Sequence, residues 1–118
     1  MQGELIEKIL IPKRDDWIVL QTDKSLYQLK LGGVSKSERI ERSEYQIANF
    51  PLIGKTIASA YTDDFIILIE TADGDGLNHS PNASINGDGD TTFGISYLSK
   101  DQFQEVKQDY GDILVELR

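Results

Sequence analysis

Oxygen-bearing side chains and glycines are concentrated between Ala72 and Thr92. Asp73-Gly74-Asp75-Gly76 opens this segment and Asn86-Gly87-Asp88-Gly89-Asp90 closes it, with Asn78, Asn82 and Ser84 between. Carboxylate and amide oxygens at alternate positions, on a backbone that glycine lets curl, are what a hard cation such as Ca²⁺ requires. Counted from Asn86, an EF-hand loop places Asp88 and Asp90 correctly, but Thr91 stands where the turn glycine belongs. Tyr97 stands where the bidentate glutamate belongs. Counted from Asp73, Asp75 fits and Leu77 does not. Asp73, Asp75, Asn86, Asp88 and Asp90 are thus candidate ligands of a second-ranked reading. The first is a polar Gly/Asp/Asn loop over about 72–92 that joins two strands.

Other chemistry is thinner. His79 is the single histidine and cysteine is absent, which excludes a thiolate metal site, a cysteine nucleophile and a disulfide scaffold. No nucleophile-elbow motif surrounds a serine, so His79 is expected as a solvated loop residue. Gly54-Lys55-Thr56 has the ending of a phosphate loop. Asn49 replaces its upstream glycine, however, and the strand-like Thr56 to Thr62 follows where a helix is required. Asp15-Asp16 and Asp63-Asp64 are sequence neighbours, so in extended backbone their side chains diverge and make no carboxylate dyad. Neither a catalytic residue nor a cofactor is assigned.

Charge points toward a partner. The 118 residues hold 20 acids and 12 bases. No lysine or arginine lies between Lys55 and Lys100, a window with seven acids (Asp63, Asp64, Glu70, Asp73, Asp75, Asp88, Asp90). Such a field repels phosphate backbones and excludes nucleic acid as the expected ligand. It attracts a basic protein surface or a cation instead, beside the plainer reading that the charge serves solubility alone. Asp63, Asp64, Asp73 and Asp75, with the aromatic anchors Tyr61 and Phe65, are the candidate partner-binding residues. The longest run of large apolar residues, Phe65 to Ile69, is far too short to span a bilayer, and the acidic start lacks a basic leader. A cytoplasmic, membrane-free protein is the expectation.

These residues have to be carried by a mostly β chain. Turn-forming clusters bracket Trp17 to Leu20 and Leu26 to Leu31, as they do around strands. Residues 5–11 fit a helical turn or a strand, and their length before Pro12 favours the strand. Residues 34–50 form a charged connector that fits neither period. Gly3-Glu4-Leu5-Ile6 followed by Asp15-Asp16-Trp17 is echoed by Gly54-Lys55-Thr56-Ile57 followed by Asp63-Asp64-Phe65. Two hairpins obeying the same turn chemistry explain this echo more simply than a duplication. Near the end, Ser99 and Gln102 have capping-box spacing, and Leu98 and Phe103 that of a hydrophobic staple. Phe103, Val106 and Tyr110 share a face and Gly111 suits a C-terminal cap, so a helix over about 100–110 is expected. A strand over 113–117 follows.

The fold class expected is α+β in one domain over 1–118. It consists of a curled or barrel-like antiparallel sheet of about six to eight strands, with the C-terminal helix packed on it. In size, acidity and lack of a catalytic constellation the chain resembles small bacterial toxin-neutralising immunity proteins. That resemblance is one of class, implies an inhibitor covering a basic surface, and assigns no residue a role. A non-enzymatic interaction module therefore ranks first, a Ca²⁺-binding module second, and an enzyme with a carboxylate- or histidine-based site third.

Overall fold

The computed structural model describes residues 1–12, 18–30, 33–37, 45–47, 50–63, 66–79 and 95–117. The first half contains β1 (Ile6–Pro12), β2 (Ile18–Thr22), β3 (Leu26–Lys30), β4 (Gly33–Ser37) and β5 (Tyr45–Ile47). The second contains β6 (Ile57–Thr62), β7 (Ile67–Thr71), β8 (Gly76–His79) and β9 (Ile95–Leu98). The helix α1 (Lys100–Tyr110) and a 3₁₀ turn (Gly111–Ile113) then lead to β10 (Val115–Leu117). The α+β antiparallel architecture with a C-terminal helix is therefore the fold.

The strands form two sheets of five, ordered β4-β3-β2-β1-β5 and β10-β6-β7-β8-β9. Ten strands among the described residues exceed the six to eight expected, and the sheets stay open rather than closing into a barrel. Two of the extra strands, β4 and β5, fall in the connector of residues 34–50 apart from Gly33, where β4 begins. Both lie at sheet edges, where one face and one side meet water, so neither hydrophobic period develops in the sequence.

Alternation buries one face of each sheet against the other. Ile6, Ile9, Ile18, Leu20, Tyr27 and Leu29 from the first sheet share a single cluster with Ile57, Ala60, Ile67, Ile69 and Leu77 from the second. The outer face of the second sheet is also apolar: Ile66, Leu68 and Leu98 pack with Phe103 of α1. This explains why Ile66 to Ile69 reads as an unbroken apolar run, since the first part of β7 is buried on both faces.

The helix follows its sequence closely. Ser99 accepts from the Gln102 N–H, and the Gln102 side chain accepts from the Ser99 N–H at 2.9 Å, completing the capping box. Gly111 ends the helix at φ +53°, a region that strains any residue with a Cβ. Phe103 lies over Gly76 of β8. A Cβ there would meet the Phe103 ring at 2.6 Å and the Ile69 carbonyl at 2.1 Å, so only glycine lets helix and sheet approach.

Candidate functional site

The second sheet places Asp63 at one end and Asp73 and Asp75 at the other. One row crosses the sheet at the end where β6 stops: Val115, Thr62, Ile67, His79 and Ile95 are successive partners. The connections 63–66 and 80–94 leave from this row. Asp63 thus sits at the same end as the junctions of the connection carrying Asn86, Asp88 and Asp90. Asp73 and Asp75 occupy the β7–β8 turn at the opposite end. Five strand residues at about 3.3 Å each separate the two ends. Asp64, Phe65, Asn86, Asp88 and Asp90 lie outside the described residues, as do Asp15, Asp16 and Trp17.

At the β7–β8 end the acids are neutralised from within the protein. Asp75 is buried, with 4% of its surface exposed, and its carboxylate accepts from three donors. Lys55 Nζ lies 2.5 Å from Oδ2, the Tyr97 hydroxyl 2.7 Å from Oδ2, and the Thr71 hydroxyl donates to Oδ1. Exposed Asp73 pairs with the same ammonium at 3.3 Å. Burial alone would push the Asp75 pKa up, but these donors outweigh it and hold the carboxyl below its usual value. The Asp75 hydrogen bond in turn raises the Lys55 pKa. A lysine so stabilised remains an ammonium, the opposite of what a nucleophilic amine needs. The cluster locks the turn.

The first sheet has a matching cluster that sequence reasoning missed. Glu4 is buried and accepts from the Thr22 hydroxyl (2.5 Å), the Tyr27 hydroxyl (2.5 Å) and the Met1 ammonium (2.8 Å). Burial raises its pKa, but the bonds from the amino terminus, Thr22 and Tyr27 prevail and lower it to about 2. No periodicity marks Glu4, because its partners come from three separate segments of the chain.

Tyr61 does not face open water as a lone anchor. Lys107 of α1 stands 4.5 Å over its ring and donates to its hydroxyl at 3.0 Å, while the hydroxyl donates to Glu70 at 3.4 Å. Asp63 is half-buried and caps its own turn, accepting the Ile66 N–H at 2.7 Å as an Asx-type turn does. His79 corrects the expectation of a solvated loop residue: it ends β8 and is fully buried. Its parity with Leu77, two residues earlier, was the available signal, since both side chains then share the core face.

Two further features bear on chemistry. An open cleft of about 540 Å³ lies at the β2–β3 turn, lined in part by Glu7, Asp23, Lys24, Ser25 and Lys36. Acids and bases balance there, and Asp23 is already engaged by the Leu5 N–H at 2.9 Å. Gly54-Lys55-Thr56 leads into strand β6 rather than a helix: Thr56 pairs with Leu5 in an isolated bridge, and Lys55 pairs with Asp73 and Asp75. Among the described residues no three His, Asp or Glu side chains come together as a metal site, and no helix is long and apolar enough to cross a membrane. Comparison with known proteins finds no matching family model, curated protein or solved structure.

Proposed function

We propose that the protein is a small non-enzymatic interaction module that meets a basic partner surface at the 63–66 and 80–94 end of its second sheet. One observation carries this reading, the contrast between corresponding ends of the two sheets. The β1–β2 connection, 13–17, is Lys-Arg-Asp-Asp-Trp and electrically balanced, and the β3–β4 connection is only Leu31-Gly32. Their counterparts are Asp63-Asp64-Phe65-Ile66 and the fifteen residues 80–94, which carry four acids and no base. The same strand order is built without this added segment in the first sheet. Sequence beyond what the strands require, with charge of one sign, is where recognition is placed on a rigid scaffold.

Asp63, Asp64, Asp88 and Asp90 carry the attraction in this proposal, with Phe65 as the packed anchor. Asp73, Asp75 and Tyr61 are withdrawn into internal pairs and contribute to the scaffold. The test is the association rate with the partner recovered by cross-linking from the native host. Changing the four aspartates to asparagine keeps the turn-capping oxygen of residue 63 and removes the charge. Slower association and a flatter salt dependence, with dissociation little changed, are expected. An association rate indifferent to both salt and the four substitutions would reduce the acidic end to a solubility feature.

A further inference from the structure

We infer that the chain is two copies of one strand unit, joined by a self-complementary, dimer-type interface within a single polypeptide. The joint is the antiparallel bridge between Leu5 and Thr56, and the contacts around it are reciprocal. Gly3 N–H donates to the Ile57 carbonyl and Gly54 N–H to the Ile6 carbonyl, both at 2.8 Å. Ile57 N–H donates to Glu4 at 2.8 Å, and Ile6 N–H to Lys55 at 2.9 Å. Every pair maps onto the other when each residue is exchanged for the one 51 positions away: 3 with 54, 4 with 55, 5 with 56, 6 with 57. A two-fold interface has this signature, in which patch i meets patch j and j meets i.

The correspondence continues away from the joint. Glu4 N–H donates to Met1 and Lys55 N–H to Leu52; just past the second strand of each half, where the equivalent positions are 49 rather than 51 apart, Asp23 N–H donates to Leu5 and Ala72 N–H to Thr56. The first hairpin of each half has a register shift at the same place, Ile6/Lys8 and Ile57/Ser59. Each half runs as a four-stranded meander whose fifth strand returns beside its first. Gly3 and Gly54 share a positive φ, +84° and +87°. The polar clusters also match as chemistry. Each has one buried carboxylate, one ammonium, one threonine hydroxyl and one tyrosine hydroxyl, although only Thr22 and Thr71 correspond in both position and residue type. Shared turn chemistry explains similar hairpins but not reciprocal bonds between them. The surface at the joint is therefore one that fits a second copy of the unit itself.

Equivalence of the two glycines gives the test on the full chain. Neither would bring a Cβ within 4 Å of another atom, so Gly3→Ala and Gly54→Ala measure backbone strain alone and leave the fold intact. Equal falls in the denaturant midpoint are expected, together with matched protection from hydrogen exchange for the amide pairs Gly3/Gly54, Ile6/Ile57 and Asp23/Ala72. Unequal falls, no fall at either position, or protection of one member of a pair without the other would overturn the inference. None of these readouts depends on a partner, so failure of the interaction proposal leaves this result unaffected.

Discussion

Glu4 shows how a buried acid comes to govern acid stability. Its carboxyl titrates near 2 in the folded protein against 4.5 for the ordinary group. As pH falls through 4.5 the unfolded chain takes up a proton that the native state still refuses, so stability declines until about pH 2. Each pKa unit is worth about 1.4 kcal/mol, which puts the loss at roughly 3 kcal/mol. Asp75, also depressed, adds to the decline with the same sign. Urea midpoints measured down this range will show a steep acid limb in the native chain and a shallower one in Glu4→Gln. An acid limb unchanged by Glu4→Gln would mean that its three donors do not hold the charged form. Gly76→Ala probes the other kind of residue-scale constraint. It forces the Phe103 ring and the Ile69 carbonyl to give way, and overpacking of this sort costs about 1–3 kcal/mol.

Helix α1 is the element most dependent on its own local chemistry. Ser99→Ala removes the acceptor of the capping box and is expected to cost about 0.5–2 kcal/mol, read as a lower denaturant midpoint at unchanged slope. Phe103→Ala empties the space between α1 and β8 and is expected to cost about 3–5 kcal/mol. A loss at Phe103 no larger than at Ser99 would show that the ring is not the main tie between helix and sheet. The helix was legible because cap, staple and apolar face all lie between Leu98 and Tyr110. Strands β4 and β5 were not legible. Their hydrogen bonds are made with residues far along the chain or across a short turn, and their edge positions leave no clean alternation.

The whole molecule decides what its charges do. Seven acids in a row of sequence without a base suggest one continuous field. Among the described residues folding places Asp63 at one end of the second sheet and Asp73 and Asp75 at the other, and brings Lys55 and Lys107 to Asp73, Asp75 and Glu70. The cation reading weakens for the same reason, because the Asp75 carboxylate already holds an ammonium. Millimolar calcium is expected to leave the melting temperature and the protease sensitivity of residues 72–92 unchanged. A site filled at 100 times its dissociation constant would add about 2.7 kcal/mol, so its effect would be plain. A rise in melting temperature abolished by Asp88→Asn with Asp90→Asn would establish a calcium site.

By itself the sequence determined the properties that are local in the chain. It specified a β-rich α+β chain with a capped helix at 100–110, a lack of cysteine, and a turn at Asp73-Gly74. Only the tertiary structure decided the rest: two open sheets sharing one core, reciprocal bonding across the Leu5–Thr56 bridge, and buried acids held by four-group clusters. The physical reason is range. Caps and turns are satisfied within a few residues, whereas Glu4 meets Thr22 and Tyr27, Asp75 meets Lys55 and Tyr97, and Leu5 meets Thr56 across long separations in the chain, and a linear pattern carries no record of which will meet.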